Sequence, residues 1–405
     1  MHQQNVNIPN HVPADLVRDV DLYDLANFRK DPRGALAALH SENPDIFFTP
    51  HYGGFWVFNR SDLILEGLNN HGQLSSQDAV FIPRPPAGLR LPPAETDPPV
   101  HTSYRRPLNQ ALSPQAVQRL TKTTRELTIE LVDGLKRRGQ CEFVGEFARQ
   151  VPVRVFLTLV DFPVSDHPYL VDLGARLNHP TDLEERQKAF HGIFEYVKPY
   201  VRARYERPSN DLVSAVCQIQ VGDRRITLDE AIDESGLLLI GGLDTIASTM
   251  TWIALFLAEN DAHRKQLIEE PSLIPAAIEE LLRVTAIVSL GRIATTDMEV
   301  AGVRIKRGDR VLLMCSLAGL DQRQWPEPLK VDFRRDTRNH AAFGKGIHRC
   351  PGANLARAEL RVFLEEWLRR IPDFSVLPGW QFDARSGSVL TIGELKLVWP
   401  ASPQG

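Results

Sequence analysis

FGKGIHRCPG occupies residues 343–352, and the helix-forming run ANLAR follows it directly. The stretch places Cys350 between glycine turns and the predicted start of a helix. Glycine lets the backbone turn tightly and pass close to a flat ligand, while the amides and positive end of the following helix stabilise a negatively charged sulfur. The stretch therefore predicts a thiolate that is presented to a metal, with Phe343 shielding the sulfur from water.

Two other interpretations of this stretch are weaker. A lone free cysteine is usually a small buried hydrophobic residue, but the surrounding glycines and His348 favour a ligand. A phosphate-binding loop is disfavoured because Gly346, rather than a serine or threonine that could hold magnesium, follows Lys345.

The pattern Phe-x-x-Gly-x-x-x-Cys-x-Gly resembles the cysteine loop of the cytochromes P-450, the haem-thiolate monooxygenases. The resemblance implies the cytochrome P-450 fold, a triangular helical prism around a buried haem. It also implies haem b as cofactor, with the Cys350 thiolate as the axial iron ligand and with Phe343 and Gly352 beside the cofactor.

Composition bounds the class of protein. The 405 residues contain no Gly/Ser-rich linker, so we expect a single domain over residues 1–405. A net charge of −4 gives no global basic field for nucleic acid. The four cysteines lie far apart, which argues against a disulfide framework and favours a reducing cytosol.

The N-terminal residues and the apolar stretches predict a cytoplasmic protein, which we expect to be a monomer. The N-terminus is polar and lacks the order of a signal peptide. The most apolar stretch, residues 236–243, is far shorter than the roughly 20 residues that span a bilayer, so no membrane attachment is expected.

The pattern along the chain predicts a mainly α protein with small β-sheets. Strand-like segments at 46–49 and 54–58 flank a turn, and prolines exclude regular helix from residues 83–99. Amphipathic helices follow from 101 to about 270, interrupted by a hairpin signal at 221–223. Further strands are predicted at 300–305, 311–314 and 390–399.

A long central helix is predicted from the capping box at Thr227–Glu230 to about Ala258, some 30 residues. Its middle, residues 237–243, is apolar on every face, as expected for a buried helix. Gly241 and Gly242 permit close helix packing or leave room for a ligand. Asp244 and Thr245 then place a carboxylate and a hydroxyl in apolar surroundings, where burial is costly without a partner.

The resemblance assigns catalytic roles to this acid-alcohol pair. Thr245 would hydrogen-bond the dioxygen, Asp244 would relay protons, and the glycine pair would make room for oxygen. It assigns a folding role to Glu280 and Arg283, which are three apart on a helix, together with Arg335. Four side chains match propionate-binding positions of the family: His101, Arg105, Arg292 and His348.

The resemblance extends over nearly the whole chain and is closest to the soluble bacterial camphor monooxygenases, in segments such as 236–245 and 370–375. It implies hydroxylation of an unactivated C–H bond, with electrons passing from NADH through a ferredoxin reductase and a [2Fe–2S] ferredoxin. Basic residues suited to an acidic ferredoxin are Arg105, Arg106, Lys345 and Arg349.

The predicted substrate pocket departs from those enzymes. Residues 84–96 contain no tyrosine to anchor a ketone, and Leu290 stands where an aspartate is expected. We expect a compact, weakly polar terpenoid, cineole- or camphor-like and held by shape; an ionone-type norisoprenoid or an acyclic monoterpenoid is the alternative. The candidate lining residues are Phe81, Leu89, Leu237, Ile240, Gly241, Val288, Leu290, Ser388 and Val389.

Pro351, directly after the cysteine, is a second departure. It has no N–H to donate toward the sulfur, so Pro351→Leu should raise the reduction potential.

Three other classes of function fit these residues less well. A peroxide-driven or rearranging haem-thiolate enzyme would not need Asp244 and Thr245. A non-catalytic haem sensor would bind haem through Cys350 but form no product. A helical binding protein without haem would require the cysteine loop to be a coincidence.

Overall fold

The computed structural model describes residues 8–84, 90–178, 183–381 and 383–400. The α-helices within these residues are α1 (Pro32–Glu42), α2 (Ser61–Asn69), α3 (Val100–Ala111), α4 (Pro114–Lys136), α5 (Gln150–Val160), α6 (His167–Asn178), α7 (Leu183–Glu206), α8 (Leu212–Cys217), α9 (Leu228–Leu243), α10 (Thr245–Glu259), α11 (Asp261–Glu269), α12 (Ile274–Val284), α13 (Cys315–Leu320) and α14 (Ala353–Arg370). The strands are β1 (Ile46–Thr49), β2 (Phe55–Phe58), β3 (Leu74–Ser75), β4 (Gln140–Glu142), β5 (Gln220–Val221), β6 (Arg224–Arg225), β7 (Ser289–Ala294), β8 (Met298–Val300), β9 (Val303–Ile305), β10 (Arg310–Met314), β11 (Ser375–Val376), β12 (Ala384–Arg385), β13 (Thr391–Ile392) and β14 (Lys396–Val398).

The chain forms two compact units, each assembled from separated stretches of sequence. Unit 1 comprises residues 1–98, 282–350 and 384–390, and unit 2 comprises residues 99–281, 351–383 and 391–405. Unit 1 carries the larger sheet and the cysteine loop. Unit 2 carries most of the helices, including α9, α10 and α14.

The main sheet of unit 1 has the strand order β1-β2-β10-β7-β3. β1 and β2 coincide with the two predicted strands and pair antiparallel, with Ile46 opposite Phe58, and β10 joins β2 in parallel. All residues of β1 and β2 are buried, as expected for strands that are covered on both faces.

Strand β7 was not anticipated from the sequence. Its residues SLGRIA include a glycine and an alanine, which are depleted in strands. The strand nevertheless pairs with β10 and β3. A Cβ atom at Gly291 would lie 1.9 Å from the carbonyl oxygen of Ala79, so this position needs glycine for close backbone approach.

The central helix of unit 2 begins as predicted. Thr227 Oγ1 accepts a hydrogen bond from the Glu230 amide at 3.2 Å, and the Glu230 carboxylate accepts one from the Thr227 amide at 2.8 Å. The prediction of one continuous helix to about Ala258 is wrong at Asp244, whose φ of −131° and ψ of −16° separate α9 from α10.

Residues 228–259 as a whole are long and apolar enough to cross a membrane, which the shorter stretch 236–243 did not suggest. Within the most apolar window, 67% is buried inside the protein. α9 packs against α5, α6, α7 and α8. Burial of this kind is typical of the core helix of a globular protein.

An aromatic cluster anchors α14 in unit 2. The ring centroid of Trp367 lies 5.0 Å from those of Phe143 and Phe147 and 5.9 Å from that of Trp399. α14 also packs along α4. These contacts hold the helix that follows the cysteine loop.

Candidate functional site

The cysteine loop has the predicted tight turns. Gly344 and Gly346 adopt φ values of +67° and +66°, and a Cβ atom at Gly346 would lie 2.8 Å from the carbonyl oxygen of Leu68. The Cys350 amide donates to the Phe343 carbonyl oxygen at 2.8 Å and closes the loop. Gly352 differs, because its φ of −79° is an ordinary backbone conformation and it serves as the N-cap of α14.

Cys350 differs from the other cysteines in exposure. It is exposed, whereas Cys141, Cys217 and Cys315 are buried. Burial raises the pKa of Cys217 to about 11 and that of Cys315 to about 12, and it also raises the pKa of Cys141. The three buried residues therefore remain thiols at neutral pH, and Cys350 is the cysteine that a ligand can reach.

Arg292, on β7 of unit 1, is a buried cation that an anionic ligand would stabilise. It is 2% exposed, and burial lowers its pKa to about 10. Its Nη1 donates to the Gly291 carbonyl oxygen at 2.7 Å, but Nη2 has no hydrogen-bond partner among the residues that the structure describes. A buried guanidinium is stable when an anionic group completes its hydrogen bonds.

The other three predicted propionate residues are distributed over both units. His348, in unit 1, places Nε2 3.9 Å from Asp97 Oδ1. Asp97 also accepts hydrogen bonds from the Ser75 hydroxyl and, at 3.3 Å, from the Ser76 amide. His101 and Arg105 lie one turn apart on α3 in unit 2, and His101 is buried.

The acid-alcohol pair lies at the break between α9 and α10 in unit 2. Asp244 is 1% exposed, and its Oδ1 accepts a hydrogen bond from Arg149 Nε at 2.9 Å. Its Oδ2 accepts a bond from the Ser248 hydroxyl at 3.2 Å. Thr245 Oγ1 donates to the Gly241 carbonyl oxygen at 2.7 Å. The partner that makes burial of the Asp244 carboxylate tolerable is thus Arg149, which the sequence analysis missed.

The two glycines of α9 have different roles. A Cβ atom at Gly242 would lie 2.6 Å from the ring of Phe156, so Gly242 permits close packing of α9 on α5. A Cβ atom at Gly241 would meet nothing within 4 Å. The expectation that the pair together makes room for oxygen is therefore corrected, because only Gly241 borders open space.

The predicted pocket residues of unit 2 share one face of α9. Leu237, Ile240 and Gly241 are spaced i, i+3 and i+4, and each is at least partly exposed. The expectation that this stretch is buried on every face is therefore wrong for this one.

In unit 1 the structure brings most of the remaining pocket candidates close to one another. Val288 and Val389 lie opposite each other in an antiparallel bridge, and the Ser289 amide donates to the Ser388 carbonyl oxygen at 2.9 Å. Leu290 Cδ1 lies 3.7 Å from the position of a Cβ atom on Gly344, beside the cysteine loop. Phe81 is partly exposed; Leu89 falls outside the described residues.

The two arginines among the predicted folding residues donate hydrogen bonds to backbone carbonyl oxygens. Arg283 donates to the carbonyl oxygens of Gly319 at 2.6 Å and Pro328 at 2.9 Å. Arg283 and Arg335 converge on the Lys330 carbonyl oxygen, at 3.4 and 3.2 Å. Glu280, in unit 2, is fully buried.

Comparison with known proteins identifies the family. The sequence profile described as Cytochrome P450 matches residues 164–381, more than half of the chain. The chain belongs to the cytochrome P450 family. It is 32% identical over 401 residues to "Probable cytochrome P450 127A1" of Sinorhizobium fredii, covering 97% of each sequence. It is 32% identical to "Vitamin D3 dihydroxylase" of Streptomyces griseolus, over 75% of this chain and 76% of the relative.

Solved structures of other cytochromes P450 have the same fold. CYP101J2 aligns with a TM-score of 0.88 and 34% identity, over 97% of this chain and 99% of the other. CYP101C1 aligns with a TM-score of 0.88 and 35% identity, over 98% and 100%. The predicted cytochrome P-450 fold, mainly α with small sheets, is confirmed.

The family and fold establish a monooxygenase of bacterial type whose cofactor is haem b with an axial cysteine thiolate. Independently of the family, two residues of this cytochrome P450 have the properties that haem b requires. Cys350 is the exposed cysteine among the four. Nη2 of the buried Arg292 guanidinium could donate a hydrogen bond to a haem propionate.

Proposed function

We propose that this cytochrome P450 hydroxylates a small hydrophobic terpenoid, cineole- or camphor-like, with dioxygen and electrons from a [2Fe–2S] ferredoxin. The partly exposed apolar face of α9, which leads directly to Thr245, carries the proposal. Val288, Leu290 and Val389 add apolar surface in unit 1, and no tyrosine occurs in residues 84–96 to bind a ketone. The substrate is therefore selected mainly by shape and apolar burial.

Cys350 is the proposed axial ligand, with Phe343 and Gly352 beside it. Haem b, when bound, supplies reductive activation of dioxygen and insertion of one oxygen atom into a C–H bond. Arg292, His348, His101 and Arg105 would hold its propionates; the unfilled donor of Arg292 supports this assignment most directly.

Asp244 and Thr245 are the proposed catalytic residues. The Asp244 carboxylate can carry a proton between solvent and the alcohol, provided that it exchanges its bond with Arg149 for one to a water molecule. The Thr245 hydroxyl, which donates to the Gly241 carbonyl oxygen, could instead donate to dioxygen in the open space at Gly241. Glu280, Arg283 and Arg335 have a folding role.

Electron supply would come from NADH through a ferredoxin reductase and the ferredoxin. Arg106 and Arg349 are exposed cations on which an acidic partner would dock. Burial and the neighbouring charge of Arg349 lower the pKa of Lys345. We further propose that residues 1–405 act as one monooxygenase domain, as a monomer in the cytoplasm, with neither membrane nor nucleic-acid attachment.

The absorption spectrum of the purified protein, reduced under carbon monoxide, tests the ligand. We expect the Soret band that is characteristic of thiolate ligation, and its loss in Cys350→His. Absence of any haem band in protein that was expressed with ample haem would overturn the assignment.

Titration of the ferric protein with a ligand panel tests the substrate. We expect compact bicyclic terpenoids to displace water from the iron more strongly than ionones or acyclic monoterpenoids. Preference for the extended ligands would favour the alternative substrates. Binding without product, when ferredoxin and NADH are supplied, would favour a haem-based sensor.

A further inference from the structure

Tyr23, near the N-terminus, is tied to the segment that carries Ser388. The Leu25 amide donates to the Ser386 hydroxyl at 3.3 Å. A Cβ atom at Gly387 would lie 2.9 Å from the Tyr23 ring, so the ring packs directly on that glycine. The Tyr23 hydroxyl reaches Ser388 Oγ at 2.5 Å. Three successive residues of the segment therefore contact residues 23–25, all within unit 1.

The same hydroxyl also reaches the segment that carries Phe81. Tyr23 donates to the Ile82 carbonyl oxygen at 2.6 Å. A phenol has one hydrogen, and a carbonyl oxygen can only accept. The Tyr23 hydrogen is thus committed to Ile82. The 2.5 Å contact with Ser388 must then be made by the serine hydrogen, which is donated to the Tyr23 oxygen.

This direction of donation decides what Ser388 can offer a ligand. Ser388 is the only hydroxyl residue among the described side chains proposed to line the pocket, and it is 8% exposed. With its hydrogen committed to Tyr23, it retains only acceptor lone pairs. Thr245 is in a similar condition, because its hydrogen is donated to the Gly241 carbonyl oxygen.

We propose that Tyr23 is a specificity-determining positioning residue that keeps Ser388 a hydrogen-bond acceptor, so that the site prefers a terpenoid carrying a hydroxyl group over the ketone or ether of the same skeleton. A ligand hydroxyl can donate to Ser388 Oγ, whereas a carbonyl or ether oxygen would face lone pairs. The inference rests on the proposed function, since it concerns the same pocket.

Borneol and camphor are suitable probes, because they share a bicyclic skeleton. Borneol carries a hydroxyl group where camphor carries a ketone. Dissociation constants of the haem-loaded protein are measured by difference spectra and by calorimetry. We expect borneol to bind more tightly than camphor, by about twofold to tenfold for one net hydrogen bond. Ser388→Ala should remove that preference.

Tyr23→Phe provides the sharper test. It removes the acceptor of the Ser388 hydrogen, which then becomes available to a ligand carbonyl group, so the preference should shift toward camphor. The double variant Tyr23→Phe/Ser388→Ala should lose this shift. Tyr52→Phe is the matched control, because the Tyr52 ring packs on Tyr23 with centroids 5.0 Å apart but its hydroxyl donates to Asp21; its binding ratio should equal that of the unaltered protein.

The outcomes separate the two proposals. An unchanged borneol-to-camphor ratio in Tyr23→Phe, in a protein that still binds both ligands, overturns the role of Tyr23 and leaves the proposed function standing. If the unaltered protein binds camphor more tightly than borneol, the role of Tyr23 is likewise overturned and the proposed function still stands. Failure of the haem-loaded protein to bind any terpenoid overturns both.

Discussion

Asp244 forms an ion pair with a cation that lies 95 positions away in the sequence, Arg149. Its carboxylate and the Arg149 guanidinium are both buried, and their 2.9 Å hydrogen bond joins α5's N-terminal cap to the break in the central helix. Breaking a buried pair leaves one charge without compensation. Arg149 is therefore both a stability determinant and a positioning residue for the proposed proton carrier.

Arg149→Leu should destabilise the ferric protein by about 3 kcal/mol, because the Asp244 carboxylate stays buried without its partner. Arg149→Leu/Asp244→Asn should recover much of that loss, since the second change removes the stranded charge. Urea unfolding measures both. Arg338→Ala, which breaks only an exposed pair with Asp336, should leave stability unchanged; equal destabilisation of the single and double variants would argue against the pair.

At the scale of elements, the central helix shows why adjacent glycines are not equivalent. Gly242 faces Phe156 on α5, whereas Gly241 lies on the partly exposed face with Leu237 and Ile240. Close packing of α9 on α5 requires Gly242. The open space beside Thr245 adjoins Gly241.

Gly242→Ala should destabilise the protein by about 1–3 kcal/mol, because the added methyl group overlaps the Phe156 ring. Gly241→Ala should leave the protein as stable or slightly more so, since alanine favours helix by about 1 kcal/mol, but it should weaken terpenoid binding. Thermal melting and spectral titration of the two variants test this. The same loss of stability in both would contradict the assignment.

Helix α14 contains a buried acid that sequence reasoning did not identify. Glu359 is 1% exposed, and neither of its carboxyl oxygens has a hydrogen-bond partner among the described residues. Burial raises its pKa from 4.5 to about 8. The folded protein therefore keeps this proton at neutral pH, while the unfolded chain releases it.

The stability contribution of Glu359 should accordingly fall as the pH rises from about 4.5 to about 8. Glu359→Gln, which cannot ionise, should be as stable as the unaltered protein near pH 4.5 and more stable near pH 8, with the difference growing by about 1.4 kcal/mol for each pH unit. Urea unfolding across this range measures the difference.

Glu365→Gln on the same helix is a control, because the pKa of Glu365 is shifted in the opposite direction to that of Glu359. Although burial raises the pKa of Glu365, hydrogen bonds from Arg361 and Arg125 lower it overall. That variant should lose stability at neutral pH and approach the unaltered protein as the pH falls below the ordinary carboxyl range. A pH-independent effect of Glu359→Gln would show that its carboxyl group titrates normally.

At the scale of the whole molecule, a net charge of −4 opposes association with an acidic ferredoxin unless local cations guide it. Arg349, directly before Cys350, is exposed and suited to that role. Docking would then depend on a few side chains rather than on the overall field.

Arg349→Glu should lower ferredoxin-supported turnover without altering terpenoid affinity, and added salt should weaken ferredoxin binding to the unaltered protein. Stopped-flow reduction and spectral titration separate the two effects. Lys122→Glu makes the same change of charge at an exposed position on α4 and should have little effect; equal losses in both variants would indicate a general charge effect.

Patterns confined to a few neighbouring residues were read correctly from the sequence. The glycine turns at 344 and 346, the capping box at Thr227, the strands β1 and β2 and the start of the helix after Cys350 depend on local backbone preferences and short-range hydrogen bonds. The cysteine loop alone was enough to indicate the family.

By itself, then, the sequence determined the family and the helical class, and it supplied the residues that are proposed for the site. Only the tertiary structure decided that Arg149 pairs with Asp244, that Gly241 rather than Gly242 borders open space, and that Tyr23 directs the Ser388 hydroxyl. The physical reason is that these features depend on which distant side chains are packed together, and hydrogen-bond direction and steric room follow from that packing.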